Sequence, residues 1–188
     1  GFDGPIHATA ATADLCRAML LDAAHIQAKD AEFLNRRRGG RNRHERIAPL
    51  YDAADVEHAL ELFRPHRYGE AFDVLPDFQA TFHEAGHIVG SAHVEARWKE
   101  NGHAGSLVFT GDLGRPQRPI IRDPAPLPHA DYLITEGTYG GTTHPDEPSL
   151  LAALERIVRE TIDRGGRIVI PAFAVGRTQE VVHAFTRL

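Results

Sequence analysis

Two short runs rich in β-branched and aromatic residues, 106–110 and 131–135, most constrain how this 188-residue chain can fold. Each has the length and composition of a buried strand, and each leads into a carboxylate: Asp112 after the first, Glu136 after the second. Strands sharing one sheet would bring those two carboxylates to the same sheet edge, where acidic side chains can work together.

The elements around them read as α/β. Residues 5–9 suggest a short strand, followed by helical periodicity through Leu15, Met19 and Leu20 and again through Ile26, Phe33 and Leu34. Asp52 is a candidate N-cap for a helix with Val56, Leu60 and Phe63 on one face. From Ala71 to Phe82 the pattern is strand-like and broken by turns. Residues 149–164 form an amphipathic helix (Leu150, Leu151, Leu154, Ile157, Val158) stopped by Gly165-Gly166. A strand over 167–171 and a helix opening at Gly176 follow, giving β-α-β-α order at the C-terminal end.

Composition excludes a few classes. No apolar run approaches the roughly 18 residues of a membrane-spanning helix, so no membrane partner is expected. One cysteine, Cys16, rules out an internal disulfide framework and suits a reducing, cytoplasmic setting. The net charge of −5 gives no general attraction to nucleic acid. Arg36, Arg37, Arg38, Arg41, Arg43 and Arg46 are clustered around Gly39-Gly40, which reads as a solvated loop or a phosphate contact. The N-terminus, Gly1-Phe2-Asp3-Gly4-Pro5, reads as the interior of a longer chain.

Of the 12 histidines, three stand in one pattern: His83-Glu84-Ala85-Gly86-His87-Ile88-Val89-Gly90-Ser91-Ala92-His93. Taken literally it is H-E-x-x-H-x-x-G-x-x-H, a zinc-peptidase signature. His83, His87 and His93 would be ligands and Glu84 the general base. That reading needs a helix over 83–87 and a methionine turn afterwards. The only methionine, Met19, precedes the motif, Gly86 and Gly90 are poor helix formers, and a strand-like 80–82 leads in.

A different resemblance covers the whole chain. The segment 82–92 resembles the part of β-CASP metallo-β-lactamases that supplies a zinc-binding histidine, here His87. Thr110-Gly111-Asp112-Leu113-Gly114-Arg115 resembles the segment whose aspartate bridges two zinc ions, here Asp112. Glu136-Gly137-Thr138-Tyr139-Gly140 resembles the acidic motif opening the β-CASP region, and 170–180 resembles a strand-to-helix signature early in that domain. The stretch from Ile26-Gln27 to Arg38 is also similar to this family.

The resemblance implies a metallo-β-lactamase-like αββα sandwich, part of which would occupy 1–136, followed over 137–188 by the start of a β-CASP domain. It implies a parent protein that hydrolyses RNA phosphodiesters with two zinc ions, like the cleavage-and-polyadenylation nucleases and their bacterial and archaeal relatives. His87 and Asp112 would be metal ligands, and Asp112 and Glu136 catalytic. A carboxylate between paired zinc ions offsets their charge, and such metals activate water for in-line attack on phosphorus. Glu136 would hold or deliver a proton. Arg177, at a helix start, would contact phosphate or simply pair at the surface. RNA is the expected partner, with a homodimer or processing-complex subunits left open.

Three features depart from the family pattern. Its main zinc motif, His-x-His-x-Asp-His, does not occur in the chain, so an inert chain from an active parent is expected, with a non-catalytic binding role as a further alternative. Glu84 stands where aspartate is usual and Gly137 where serine is common.

Overall fold

A computed structural model describes residues 2–37, 46–142 and 150–188, with the Leu150 side chain excepted. The chain is mixed α/β and divides into two compact units, Gly1–Phe82 and His83–Leu188. The division expected near residue 136 falls inside the second unit.

In the first unit, strand β1 (Ile6–Thr9) leads into a 28-residue helix α1 (Ala10–Arg37), then helix α2 (Ala53–Glu61) and strand β2 (Phe63–His66). β2 pairs parallel to β1, with Ile6 opposite Phe63 and Thr9 opposite His66. A parallel pair needs a long crossover, and the two helices supply it. The Thr9 hydroxyl accepts the Thr12 amide at 3.2 Å, satisfying a free N–H at the start of α1. Asp52 caps α2 as its sequence promised: its carboxylate accepts the amides of Ala54 and Asp55, and the Asp55 side chain accepts the Asp52 amide. Phe63, expected on the face of α2, instead begins β2, because the helix ends at Glu61 and is capped by Leu62.

Strands β3 (Ala71–Leu75) and β4 (Phe78–Glu84) form an antiparallel hairpin with an irregularity between Asp73 and Leu75. Ala8, Ala24, Ala31, Val56, Ala80 and Phe82 supply the buried apolar core of this unit. A ring cluster sits beside it. His66 stacks on Phe72 with centroids 3.6 Å apart, and His7 Nδ1 lies 2.8 Å from His66 Nε2. Among the arginines of the basic run, Arg36 and Arg37 end α1 rather than joining a loop, and Arg37 stands over the Phe33 ring at 5.5 Å. Gly39, Gly40, Arg38, Arg41 and Arg43 lie outside the described residues, as do Ser149 and the residues around it.

The second unit is built on β5 (Ala92–Glu100), β6 (His103–Phe109) and β7 (Tyr132–Ile134). Asn101 (φ 51°) and Gly102 (φ 80°) turn β5 into β6, the Asn-Gly pairing that a two-residue hairpin favours. β7 runs parallel to β6, with Leu107, Val108 and Phe109 opposite Tyr132, Leu133 and Ile134. The C-terminal ends of both strands therefore lie together, where open parallel sheets gather functional loops. Helices α3 (Leu150–Asp163) and α4 (Arg177–Phe185) complete the unit.

Two expectations fail here. The 131–135 run is a strand but not a buried one: Tyr132, Leu133 and Ile134 are all more than half exposed. Its only hydrogen-bonded neighbour among the described strands is β6, which makes β7 an edge strand. Residues 167–171 have strand composition but form no strand, since none of the described strands offers them a ladder partner.

The histidine pair gives the first unit an acid-sensitive element. Burial, and then the neighbouring His7, hold His66 below its ordinary value of 6.5. A histidine lowered on folding favours the neutral form, so its contribution is complete above pH 6.5 and declines as pH falls below that value. Urea unfolding should thus show stability lost between pH 7 and 5.5, and His66→Phe should flatten that segment. A wild-type stability unchanged across the same range would contradict this.

Candidate active site

Everything at the carboxylate end of the second unit is tied to Thr110, which is completely buried. Its amide donates to the Ile134 carbonyl at 3.0 Å, locking the exit of β6 to the exit of β7. Its carbonyl accepts from His93 Nδ1 at 2.7 Å, and His93 is itself 1% exposed. Its hydroxyl donates to the Gly111 carbonyl at 2.8 Å and receives the Glu136 amide at 3.4 Å. Gly111 then turns the chain at φ 56°, and Asp112 projects outward with its side chain 74% exposed.

His87 is presented by a tight loop between β4 and β5. The Ser91 hydroxyl accepts the amides of His87 and Ile88 at 3.1 and 3.2 Å, and Glu84 Oε1 accepts the Gly86 amide at 3.0 Å. The longer glutamate at position 84 thus reaches the loop backbone two residues on. Gly86 has φ 66°, and Gly114 passes so close that a Cβ there would collide with the Gly86 carbonyl; the Gly114 amide donates to the Ala85 carbonyl at 2.9 Å. The result brings His87 Nε2 to 3.7 Å from Asp112 Oδ2.

Glu136 joins the same group. Its Oε1 accepts the Leu113 amide and its Oε2 accepts the Thr138 hydroxyl, both at 2.6 Å. The Thr138 hydroxyl first, then the Leu113 amide, and more weakly the charge of His87, hold this carboxyl below the usual glutamate value against a small opposing effect of burial. Glu136 is therefore ionised at neutral pH and ties the 110–113 turn to the 136–138 segment. A Cβ on Gly137 would meet no neighbouring atom, so the missing serine leaves open space rather than a distorted backbone.

His87, Glu136 and Arg177 line one cleft of about 620 Å³, with Asp112 beside His87. Gly176 (φ 88°) opens α4 against Ile88, and Arg177 is the first residue of that helix, exposed to solvent. Arg118 crosses to Glu180 on α4 through a two-pronged ion pair at 2.7–3.3 Å. Four sequence-predicted positions, His87, Asp112, Glu136 and Arg177, are thus brought to one face of the unit. The bracing set of Ser91, Thr110, Arg118 and Glu180 was not assigned roles from sequence. A serine just after Gly90 and a threonine just before Gly111 were its only visible signals.

The peptidase pattern does not survive folding. Residues 83–93 comprise the end of β4, the His87 loop and the start of β5, so no helical face carries His83 and His87. His83 Nε2 is spent on Glu95 at 2.9 Å, and Glu95 also receives Arg97 at 2.6 Å. Burial raises the Glu95 carboxyl, but the His83 and Arg97 hydrogen bonds outweigh it and leave the group lowered and charged. His93 is buried under Thr110.

The donor set also bounds what metal the chain can hold. Two donors sharing one tetrahedral zinc at ~2.1 Å stand about 3.4 Å apart, close to the spacing of His87 and Asp112. Among the described residues, however, no group of three or more histidine, cysteine, aspartate or glutamate side chains is arranged to hold a metal ion. The pair therefore fits part of a metal site and not a whole one.

The fold and cleft define a mixed α/β chain with two carboxylates just after the C-terminal ends of parallel strands and a histidine brought to them by a loop. Its relatives narrow that class. The chain is 34% identical over 183 residues to a ribonuclease of Thermus thermophilus, a match covering 97% of this chain and 37% of that protein. It is 36% identical over 187 residues to transcription termination factor FttA of Methanosarcina mazei, covering 97% of this chain and 26% of the relative. FttA of Pyrococcus abyssi is 34% identical over 184 residues, covering 96% and 26%. The chain thus spans between about a quarter and somewhat over a third of the length of the curated relatives it matches. No protein-family model matches it.

Replacing Thr138 with valine removes the largest stabilisation of the ionised Glu136 carboxylate. The Glu136 pKa, followed by carboxyl-carbon NMR, should rise in Thr138→Val while that of Asp131 stays fixed. An unmoved Glu136 value would show that the hydrogen bond does not act as described.

Proposed function

We propose that this chain is part of a β-CASP-branch metallo-β-lactamase whose intact protein hydrolyses RNA phosphodiesters. The observation that carries the reading is a cleft lined by His87 and Glu136 with Asp112 3.7 Å from His87, in a chain similar over nearly all its length to a ribonuclease. The αββα sandwich up to about residue 136, the β-CASP start at 137–188 and a cytoplasmic location belong to the same proposal. So does RNA as the partner, with a homodimer or processing-complex subunits both open. No helix among the described residues is long and apolar enough to cross a membrane.

In this reading His87 Nε2 and Asp112 Oδ2 are two of the ligands for a zinc pair, whose remaining donors this chain does not carry among its described residues. Zinc would supply Lewis acidity toward a phosphodiester. The chain's own residues do the rest. Ser91 and Gly114 fix the direction of His87, and Thr110 fixes the turn carrying Asp112. Glu136, ionised and doubly hydrogen-bonded, accepts a proton at Oε1 or Oε2 once a substrate displaces one of its donors. Arg177, on the cleft at the start of α4, offers a guanidinium to a phosphate oxygen.

Among its described residues the chain holds too few donors for tight zinc, and it is proposed to be inert on RNA. In the parent protein, Asp112→Asn and Glu136→Gln should each lower kcat for cleavage of a 5′-labelled single-stranded RNA by ~10²-fold or more. Arg177→Ala should chiefly raise KM. Full activity in Asp112→Asn would refute the assignment. RNA cleavage by the 188-residue chain itself, lost in that variant, would refute the claim that it is inert.

A further inference from the structure

On the far end of the β5–β6 hairpin, away from the C-terminal strand ends, lies a second cavity of about 450 Å³ with different chemistry. Trp98 on β5 faces Gly105 on β6 in register, and the indole lies so close over that glycine that a Cβ would collide with it. One face of the indole is thus seated on backbone. Tyr132 on β7 stands beside it, with ring centroids 6.4 Å apart and planes only 21° from parallel, and is 61% exposed. The three strands hold two nearly parallel π surfaces in place at the surface of the protein.

Two carboxylates give this cavity its charge. Glu100 and Asp131 both line it, and its lining contains no lysine or arginine. One oxygen of Asp131 accepts the amide and hydroxyl of Ser106 at 2.9 and 2.7 Å, which orients the carboxylate. The Ser106 hydroxyl first, then its amide, and more weakly the charge of His129, hold the Asp131 carboxyl below its ordinary value. His103 also lines the cavity.

Paired aromatic faces with carboxylates at their rim attract planar cations, since the face of a π system is negative and a guanidinium stacks on it with little loss of hydration. The same carboxylates repel a nucleic-acid phosphate. We propose that the Trp98–Tyr132 cavity is a docking site for an arginine side chain of a basic polypeptide segment, independent of the cleft carrying His87 and Asp112. Charge complementarity selects this occupant over RNA, and the flat rings select arginine over lysine.

Trp98 is the only tryptophan of the 188 residues, so selectively excited tryptophan fluorescence reports on this site alone. N-acetyl-arginine amide, titrated into the chain, should change that fluorescence saturably with a Kd on the order of 10 mM, as befits one guanidinium. N-acetyl-citrulline amide, uncharged but equally flat, should bind at least tenfold more weakly. Glu100→Gln should weaken arginine binding about threefold and Tyr132→Ala by more, each with an unchanged far-ultraviolet circular dichroism spectrum. Equal binding of citrulline and arginine, stronger binding of uridine 5′-monophosphate, or no saturable change below ~100 mM would each overturn the proposal. The result bears on this cavity only and leaves the nuclease reading untouched.

Discussion

The second unit depends on one buried threonine. Thr110 uses its amide, carbonyl and hydroxyl to join β5, β6, β7 and the turn that follows. A buried polar group left without partners costs on the order of 1–3 kcal/mol, so all these contacts must form together or the strand ends separate. Because Asp112 follows two residues later and the Glu136 amide is anchored to the same hydroxyl, the backbone of both depends on this junction. His93, read from sequence as a possible ligand, serves here as a buried donor.

The cleft shows how exposed chemical groups are held by backbone rather than by burial. His87, Asp112 and Arg177 are all solvent-accessible, yet each sits next to a glycine-dependent approach: Gly86 against Gly114, Gly111 with its positive φ, Gly176 against Ile88. The Arg118–Glu180 pair, shielded on the glutamate side, ties the loop after Asp112 to α4. Such an arrangement leaves coordination valences and hydrogen-bond sites free for a substrate while fixing their origin. The Glu136 carboxylate stays ionised there because the Thr138 hydroxyl and the Leu113 amide hold it, with the charge of His87 adding to them.

Much of this was legible from residue pattern. The N-cap at Asp52, the helix stop at Gly165, the Gly176 helix start and the carboxylates after two strand runs follow from local rules, and local rules suffice where the responsible atoms are neighbours in sequence. What sequence did not supply was partnership at a distance. The 131–135 run reads as buried because it is apolar, but exposure depends on which strands flank it. The 167–171 run has strand composition and no ladder partner. The histidine pattern 83–93 matches a helical signature letter by letter, yet Gly86 and Gly90 at φ 66° and 89° turn it into a loop between strands. Ser91 and Thr110 acquire their roles only once that loop exists.

The proposed zinc ligands are His87 and Asp112, and not the three histidines of the 83–93 pattern. Titrating zinc into the chain while recording the histidine side-chain resonances by 1H–15N NMR tests this assignment directly. Weak binding that shifts His87, leaves His83 and His93 in place and disappears in Asp112→Asn is the predicted result. Tight one-to-one binding that moves His83, His87 and His93 together, and persists in Asp112→Asn, would contradict it.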